Sequence, residues 1–301
     1  MDGIGKTERG ADRRGAERRG SERRTAVAER RVEARGDSDR RVDERRGTAR
    51  RRGERRSAAA ESEDTTEADS ITAVDEVPTA ATAGGSPIAV VSGSSRGIGA
   101  AIAAALARDG FAVVPHSSKI ADVSDGDALT RFFSGIGGVD VLVCNAGVAM
   151  TGVFQDTAAR WRELFDVNFG GTVRCIDAVL PHMLAQKRGR IILISSVWGI
   201  VGASCEAVYS ASKAALQGLA RSLAKELGPS GITVNCVAPG VIDTDMNAAL
   251  SPADLEELCE STPLGRLGAA QDVAEMVAFL ASERAAFVTG QVIGVDGGFC
   301  G

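Results

Sequence analysis

Residues 88–110 read IAVVSGSSRGIGAAIAAALARDG, and this stretch decides the fold. Its first five residues suit a buried β-strand, and the alanine-rich half is typical of a helix that stops near Gly110. Between strand and helix lie Gly93, Gly97 and Gly99. Glycines at such a turn let the backbone approach a pyrophosphate, which the N-terminus of the following helix attracts. The stretch therefore predicts a strand-turn-helix unit that binds a dinucleotide.

Apolar strands continue to alternate with alanine-rich helices to the carboxyl end. Further apolar, β-branched runs occur at residues 111–114, 140–147, 190–196, 232–240 and 291–298. We interpret them as buried strands of a doubly wound parallel sheet, which is an α/β fold of Rossmann type. Ligands of such sheets bind beyond the carboxyl ends of the strands.

Charge divides the chain into three parts. Residues 1–57 carry 20 basic and 12 acidic side chains, 58–87 carry seven acids and no base, and 88–301 carry 15 bases and 21 acids. Because the first part has almost nothing to bury, we predict a disordered arginine-rich extension. Residues 58–87 then form an acidic linker of small residues, and 88–301 form one domain with a buried core.

The arginine-rich extension repeats GADRR, GAERR and GSERR between residues 10 and 24. Acids alternating with arginines indicate a solvated charged segment, and a tether to nucleic acid or another acidic partner is the alternative. No aromatic residue precedes Phe111, so base stacking is unsupported and we do not expect a nucleic-acid partner. The acids also argue against a mitochondrial transit peptide.

Composition argues against several other classes of protein. The chain has six cysteines and two histidines without a Cys-x-x-Cys pair or a histidine cluster, so we predict no metal site. We expect most of the cysteines to be small core residues in a reducing compartment. No long uncharged apolar run and no secretory segment near Met1 is present, which favours a cytoplasmic protein with no membrane contact.

Tyr209 is the only tyrosine of the chain, and Lys213 follows it by four residues. On a helix the two side chains share a face. A lysine charge lowers the pKa of a neighbouring phenol, which makes the tyrosine a better proton exchanger near neutral pH. The spacing alone favours a packing tyrosine beside a solvated lysine.

Six motifs, in this order, make residues 88–301 resemble the short-chain dehydrogenase/reductase family. They are GSSRGIG at 93–99, NAG at 145–147, VNFGG at 167–171, ISS at 194–196, YSASK at 209–213 and APGVIDTDM at 238–246. The carboxyl-terminal third is similar to that of 3-oxoacyl-[acyl-carrier-protein] reductases. The resemblance implies an NAD(P)-binding oxidoreductase domain over residues 88–301, and a homotetramer.

The same resemblance implies a catalytic tetrad of Asn168, Ser196, Tyr209 and Lys213. Tyr209 would donate a proton, Lys213 would lower its pKa and bind the nicotinamide ribose, and Ser196 would hold the substrate carbonyl. Asn168 would hold a water on the proton path to Lys213. Ser195 competes with Ser196 for the carbonyl. The implied cofactor contacts, besides Tyr209 and Lys213, are Gly93, Ser94, Ser95, Arg96, Gly97, Ile98, Gly99, His116, Ser117, Asp122, Val123, Asn145, Ala146, Gly147, Pro239, Gly240, Ile242 and Thr244.

The adenosine half of the cofactor site departs from the family pattern. Only residues 115–121 separate the second strand from Asp122 and Val123, too few for a helix followed by a strand. Either the sheet loses an element here or a third strand is entered directly. The second strand ends without an acid to bind a ribose 2′-hydroxyl, so we expect NADP, held by Arg96. The possible additional contacts to the 2′-phosphate are His116, Ser117, Ser118 and Lys119.

The substrate is less constrained than the cofactor. We expect a 3-oxoacyl thioester of fatty-acid or polyketide synthesis, carried by acyl carrier protein or coenzyme A. A free ketone, quinone or alcohol is the alternative enzyme substrate, and a dinucleotide-sensing module is the non-enzymatic one. The family's basic carrier-protein contact is replaced by Ser230, which leaves Lys187, Arg188 and Arg190 as a candidate docking patch.

Overall fold

The computed structural model describes residues 85–247 and 251–300. The predictions for residues 1–57 and for 58–84 lie outside these ranges. Six parallel strands form one sheet in the order β2-β1-β3-β4-β5-β6. The strands are β1 (Ile88–Ser92), β2 (Ala112–His116), β3 (Val141–Cys144), β4 (Gly189–Ile194), β5 (Ile232–Pro239) and β6 (Val292–Val295). The predicted α/β fold with a parallel sheet is confirmed.

Helices cover both faces of the sheet. They are α1 (Gly97–Arg108), α2 (Gly126–Ile136), α3 (Phe154–Thr157), α4 (Trp161–Phe165), α5 (Gly171–Gln186), α6 (Trp198–Val201), α7 (Ala207–Leu227), α8 (Pro252–Glu260) and α9 (Ala270–Ala281). Buried side chains of α2, α5 and α7 share one apolar core, and those of α1 and α9 share the other. The fold is therefore doubly wound.

Strand periodicity divides the apolar side chains between these two cores. In β1, Val90 belongs to the core under α2, α5 and α7, whereas Ala89 and Val91 belong to the core under α1 and α9. Successive side chains of a strand point to opposite faces, so a strand that is covered on both sides must be apolar throughout. This explains why the strands appear in the sequence as continuous apolar runs.

The sheet ends at β2. Of the two alternatives for residues 115–121, the loss of an element is therefore correct, and no third strand is entered directly. After His116 the chain makes a turn in which Ile120 and Ala121 donate backbone hydrogen bonds to the Ser117 carbonyl. Helix α2 then begins at Gly126, with Asp125 accepting hydrogen bonds as its N-cap. This side of the sheet has lost a helix and a strand.

Pro115 limits what the open edge of β2 can bind. Ala112 and His116 direct their backbone N–H groups towards β1 and its following turn. Residues 113 and 115 therefore face outward, since hydrogen-bonding direction alternates along a strand. Proline has no N–H, which removes one of the two outward donors and discourages pairing with another strand.

Three of the six cysteines belong to the core. Cys144, Cys175 and Cys236 are buried, and burial raises the pKa of all three thiols. The expectation that most of the six are core residues holds only for these three, because the others are partly exposed.

Among the helices of 85–247 and 251–300, none combines the length and hydropathy of a membrane span.

His116, at the end of β2, is buried without a hydrogen-bond partner on either ring nitrogen. Its ring packs edge-on against Phe132 with centroids 4.9 Å apart, and only 1% of the residue is exposed. Burial lowers the pKa of His116, although the charge of Asp122 acts in the opposite direction. The imidazole is therefore neutral at pH 7 and lies among apolar groups.

We expect this burial to weaken the fold in mild acid. Below about pH 6.5 the unfolded chain binds a proton at His116 that the folded chain excludes, so stability falls by up to about 1.4 kcal/mol per pH unit. His116→Leu should remove this component of the pH dependence between pH 7 and pH 5, as measured by urea unfolding. His182→Gln, at the only other histidine, is the control. An unchanged pH profile in His116→Leu would contradict the expectation.

Candidate active site

The glycine turn after β1 has the close packing that a phosphate-binding turn requires. Gly93 and Gly97 have positive φ angles of 69° and 55°. A methyl group on Gly99 would collide with the Gly93 carbonyl oxygen and would lie 2.5 Å from the Asn145 side-chain nitrogen. Helix α1 begins at Gly97, and its N-cap residue Arg96 makes no side-chain capping bond. The turn thus leaves the amino end of α1 accessible to an anion.

Ser92 and Asn145 join the glycine turn to the end of β3. The Ser92 hydroxyl accepts hydrogen bonds from the backbone N–H groups of Asn145 and Ala146 at 2.9 and 3.0 Å. In return, the Asn145 amide donates to the carbonyls of Ser92 and Gly93. These bonds bring residues 145–147 beside the turn, as expected for two parts of one cofactor site.

The end of β2 is tied to the same turn through Ser94. The Ser94 N–H donates to the His116 carbonyl, and the His116 N–H donates to the Ser94 hydroxyl, both at 2.9 Å. Ser117 is half-exposed, and Ser118 and Lys119 are exposed. The structure corrects the expectation for His116, because its buried ring offers no charge to a 2′-phosphate.

Arg96 is a cation of the glycine turn that is tied to this surface. Its side chain is 76% exposed and lies 3.7 Å from the carboxylate of Asp245, which belongs to the motif at the end of β5. An ion pair this exposed contributes little stability. The guanidinium can therefore turn to a phosphate at small cost.

Asp122 and Val123 are placed beyond the turn that follows β2. The Asp122 carboxylate accepts hydrogen bonds from the N–H and hydroxyl of Ser124 through one oxygen, and these bonds lower its pKa. Val123 is buried against Gly171 of α5, where a Cβ would come within 2.7 Å of it. The close approach of α5 fixes the position of this pair at the sheet edge.

Lys213 is a buried cation beneath the predicted site. Only 5% of it is exposed, and its Nζ donates to the Ile194 carbonyl at the end of β4 at 2.9 Å. Burial lowers the pKa of Lys213 to about 8. The same nitrogen lies 5.8 Å from the ring centroid of Tyr209, one turn earlier on α7. The two side chains share a helix face, as predicted.

Ser195 and Ser196 have different environments. The Ser195 hydroxyl donates to the Lys213 carbonyl at 2.8 Å and accepts from the Gln217 amide at 3.1 Å. The Ser196 hydroxyl accepts a hydrogen bond from the Trp198 N–H at 3.2 Å, and the Ser196 carbonyl accepts one from the Gly199 N–H. Ser195 thus fastens β4 to α7, and the Ser196 hydroxyl keeps its proton for another acceptor. This arrangement supports Ser196 as the carbonyl partner.

Asn168 lies in a single π-helical turn, Asp166–Gly170, between α4 and α5. Its buried amide accepts from the Val148 N–H at 2.8 Å, and donates to the Val148 carbonyl and to the Ser212 hydroxyl. Its own carbonyl accepts from the Thr172 hydroxyl at 3.1 Å. The side chain therefore links the loop after β3 to α7. Its role towards a water stays a prediction.

Gly147 shows how closely these elements meet. A Cβ on Gly147 would lie 3.2 Å from the Asn168 side-chain oxygen and 3.3 Å from the Lys213 nitrogen. The NAG loop, the π-helical turn and α7 thus converge at one point. The remaining contacts expected at this edge, Pro239, Gly240, Ile242 and Thr244, follow or end β5. The structure brings the predicted residues to the carboxyl edge of the sheet.

The candidate carrier-protein patch lies elsewhere. Lys187 and Arg188 precede β4, whereas Ser196 follows it, and a six-residue strand spans about 20 Å. Arg188 pairs with Asp140, and the largely buried Arg190 pairs with Glu283. Within one protomer these bases therefore lie at the opposite edge of the sheet from Tyr209.

Comparison with known proteins agrees with this geometry. Residues 119–300 match the family model described as enoyl-(acyl carrier protein) reductase. The 3-oxoacyl-[acyl-carrier-protein] reductase FabG of Staphylococcus aureus is 39% identical over 237 residues, covering 70% of this chain and 96% of that protein. The chain belongs to the short-chain dehydrogenase/reductase family. It is an oxidoreductase, and members of this family use a nicotinamide dinucleotide.

The match covers nearly the whole length of two further relatives. Escherichia coli FabG is 38% identical over 234 residues, covering 70% of this chain and 96% of its own. An uncharacterised Bacillus subtilis oxidoreductase, YmfI, is 36% identical over 236 residues, covering 70% of this chain and 98% of its own. In all three relatives the match covers nearly the whole protein and 70% of this chain.

Two side chains of this short-chain dehydrogenase/reductase were missed by sequence reasoning. Trp198, two residues after Ser196, donates its backbone N–H to the Ser196 hydroxyl at 3.2 Å. Glu206, three residues before Tyr209, is a buried carboxylate that makes no capping bond to α7. Position relative to the motifs could have drawn attention to both, but neither belongs to a motif.

Proposed function

We propose that the protein is an NADPH-dependent reductase that converts a ketone to a secondary alcohol. The substrate class we favour is a 3-oxoacyl thioester, linked to acyl carrier protein or coenzyme A, in fatty-acid or polyketide synthesis. The observation that carries the proposal is the buried Lys213, held at the end of β4 one turn below Tyr209. A buried charge requires a reason, and supporting a proton donor provides one.

The residues suit proton delivery to a ketone oxygen. The bound nicotinamide would supply hydride to the carbonyl carbon. Ser196 would donate a hydrogen bond to the carbonyl oxygen and stabilise its developing negative charge. Tyr209 would transfer its hydroxyl proton to that oxygen and leave a phenolate. The positive charge of Lys213 would stabilise the phenolate, which water then reprotonates.

Arg96 and the end of β2 support NADPH over NADH. The exposed Arg96 can reach an additional phosphate, and Ser117, Ser118 and Lys119 add two hydroxyls and an ammonium nearby. No carboxylate follows β2 at the position where one would bind the 2′-hydroxyl of NAD. These features also favour a 2′-phosphate on electrostatic grounds.

An apolar rim supports an acyl substrate. The segments that follow β3, β4 and β5 carry exposed apolar side chains: Val148, Ile200, Val201 and Met246. Such a rim suits a hydrocarbon chain. The names of the two FabG relatives point the same way. Trp198 favours the second candidate, reduction of a free ketone or quinone, because an indole can pack against a ring.

Helices α5 and α7 both expose side chains that suit a contact between subunits. Val173 and Leu184 of α5 are exposed apolar side chains, and α7 exposes the small residues Ala207, Ala211, Ala214 and Gly218. We propose a homotetramer in the cytoplasm. A complete tetrad makes a dinucleotide sensor or a nucleic-acid-binding function of the extension the less favoured alternative.

The test is turnover by the full chain with NADPH and NADH in parallel. We expect NADPH to be consumed with a 3-oxoacyl thioester, with kcat/KM at least about tenfold above that with NADH. The panel adds a cyclic ketone and a quinone. Activity on the ring compounds alone would transfer the proposal to the second candidate. A preference for NADH would contradict the assignment of Arg96.

A further inference from the structure

Trp198 and Phe299 form an aromatic pair beside the proposed carbonyl-binding serine. Their ring centroids are 5.5 Å apart with the planes at 82°, and Phe299 is only 2% exposed. The backbone N–H of Trp198 donates to the Ser196 hydroxyl at 3.2 Å. The indole side chain therefore starts close to the oxygen that would hold the substrate.

The pair extends across the carboxyl end of β5. Trp198 follows β4 and Phe299 follows β6, and β5 lies between those two strands. At the end of β5, Gly240 packs so closely on Asp296 that a Cβ would lie 2.7 Å from the Asp296 Cα. Ligands of such sheets bind over the carboxyl ends of the strands. A substrate held by Ser196 would therefore lie next to the indole.

The segment that carries Phe299 is held in place. The Asp296 carboxylate accepts hydrogen bonds from the backbone N–H groups of Gly298 and Cys300, both at 3.0 Å. The Gly297 carbonyl accepts from the Leu264 N–H at 3.2 Å. An edge-to-face contact with a fixed ring restrains the indole further. The aromatic pair is therefore a firm boundary, and a long flexible substituent cannot easily displace it.

We propose that Trp198, supported by Phe299, limits the size of the group accepted beside the reacting carbonyl. The inference rests on the proposed ketone reductase and adds its specificity. With the indole present, the site accepts short 3-oxoacyl chains and compact rings better than long chains. A smaller side chain at position 198 leaves space above β5 that additional methylene groups can fill.

The experiment compares short and long substrates in the full chain with NADPH. The probes are N-acetylcysteamine thioesters of 3-oxobutanoate and 3-oxododecanoate, with cyclohexanone as the compact ring. In Trp198→Val, the ratio of kcat/KM for the long thioester to that for the short one should rise at least about tenfold. Trp198→Phe, which retains a ring against Phe299, should show a smaller rise and serves if the valine variant does not fold.

Trp161→Val is the matched control. Trp161 is the only other tryptophan, and it packs edge-on against Phe165 at 5.8 Å in a different part of the fold. Its variant should keep the wild-type ratio. An equal change in the two valine variants, or no change in either, would overturn the inference while the reductase itself stands. A wild-type chain that consumes NADPH with none of the three probes would overturn the proposed function, and this inference with it.

Discussion

Tyr209→Phe is expected to lower kcat for NADPH-dependent ketone reduction by about 100- to 10,000-fold, since a positioned general acid contributes a factor of that size. The substitution removes the one hydroxyl and leaves the ring beside Lys213, so the packing of α7 should persist. The chain has no second tyrosine that could replace the lost proton donor. Stopped-flow measurement of NADPH oxidation at saturating substrate is the direct assay.

NADPH binding separates lost chemistry from lost structure in this variant. The glycine turn and Lys213 are unchanged in this variant. The dissociation constant for NADPH should therefore stay within about threefold of wild type. Fluorescence titration of NADPH measures it. Turnover within about tenfold of wild type in Tyr209→Phe would rule out Tyr209 as the proton donor.

Much of the fold could be predicted because burial on both faces leaves a simple pattern. A strand such as β3, buried along its whole length, is apolar at every position, and the resulting run is visible without any structure. The number of strands beyond β2 could not be predicted in the same way. Residues 115–121 were too short for a helix and a strand, but only the pairing of β2 with β1 alone shows which alternative the chain adopts.

The sequence predicts a set of candidate site residues, whereas their contacts are visible only in the structure. Ser195 and Ser196 are adjacent, and what distinguishes them is a hydrogen bond from Ser195 to Lys213, 18 residues away. Asn168 similarly depends on Val148 and Ser212. Such bonds join positions that are distant in sequence, and no local pattern encodes them.

His116 and the basic patch illustrate two different failures. The sequence places His116 at the end of a strand, where a side chain can contact a ligand. In the structure its ring packs inward against Phe132. Lys187 and Arg188 are close in sequence to Ser196, but a strand separates them, and its two ends lie at opposite edges of the sheet. Side-chain direction in the first case and strand direction in the second decide the outcome.

Gly99→Ala is expected to abolish useful NADPH binding and to destabilise the domain. The added methyl group would meet the Gly93 carbonyl oxygen and the Asn145 side-chain nitrogen, and the first of these is backbone. Neither can move freely, because the Asn145 amide is bonded to the carbonyls of Ser92 and Gly93. Helix α1 must therefore shift away from the turn, which displaces the N–H groups that would face the pyrophosphate.

The size of both effects follows from that displacement. A shift of about 1 Å in a binding group can cost about 100-fold, so we expect the NADPH dissociation constant to rise at least that much. Overpacking of this kind costs about 1–3 kcal/mol of unfolding free energy. Urea unfolding gives the second quantity, and the thermal shift on adding NADPH gives the first, because a ligand stabilises only the state that binds it.

Gly135→Ala provides the same substitution without the collision. Gly135 lies in α2, and a Cβ there meets nothing within 4 Å. Alanine in place of a helical glycine should stabilise by about 0.5–1 kcal/mol and leave the NADPH-induced thermal shift intact. The two variants should therefore move the unfolding free energy in opposite directions. If Gly99→Ala instead behaves like Gly135→Ala, the glycine turn tolerates a side chain, and the close approach of α1 to Gly93 is not what forms the cofactor site.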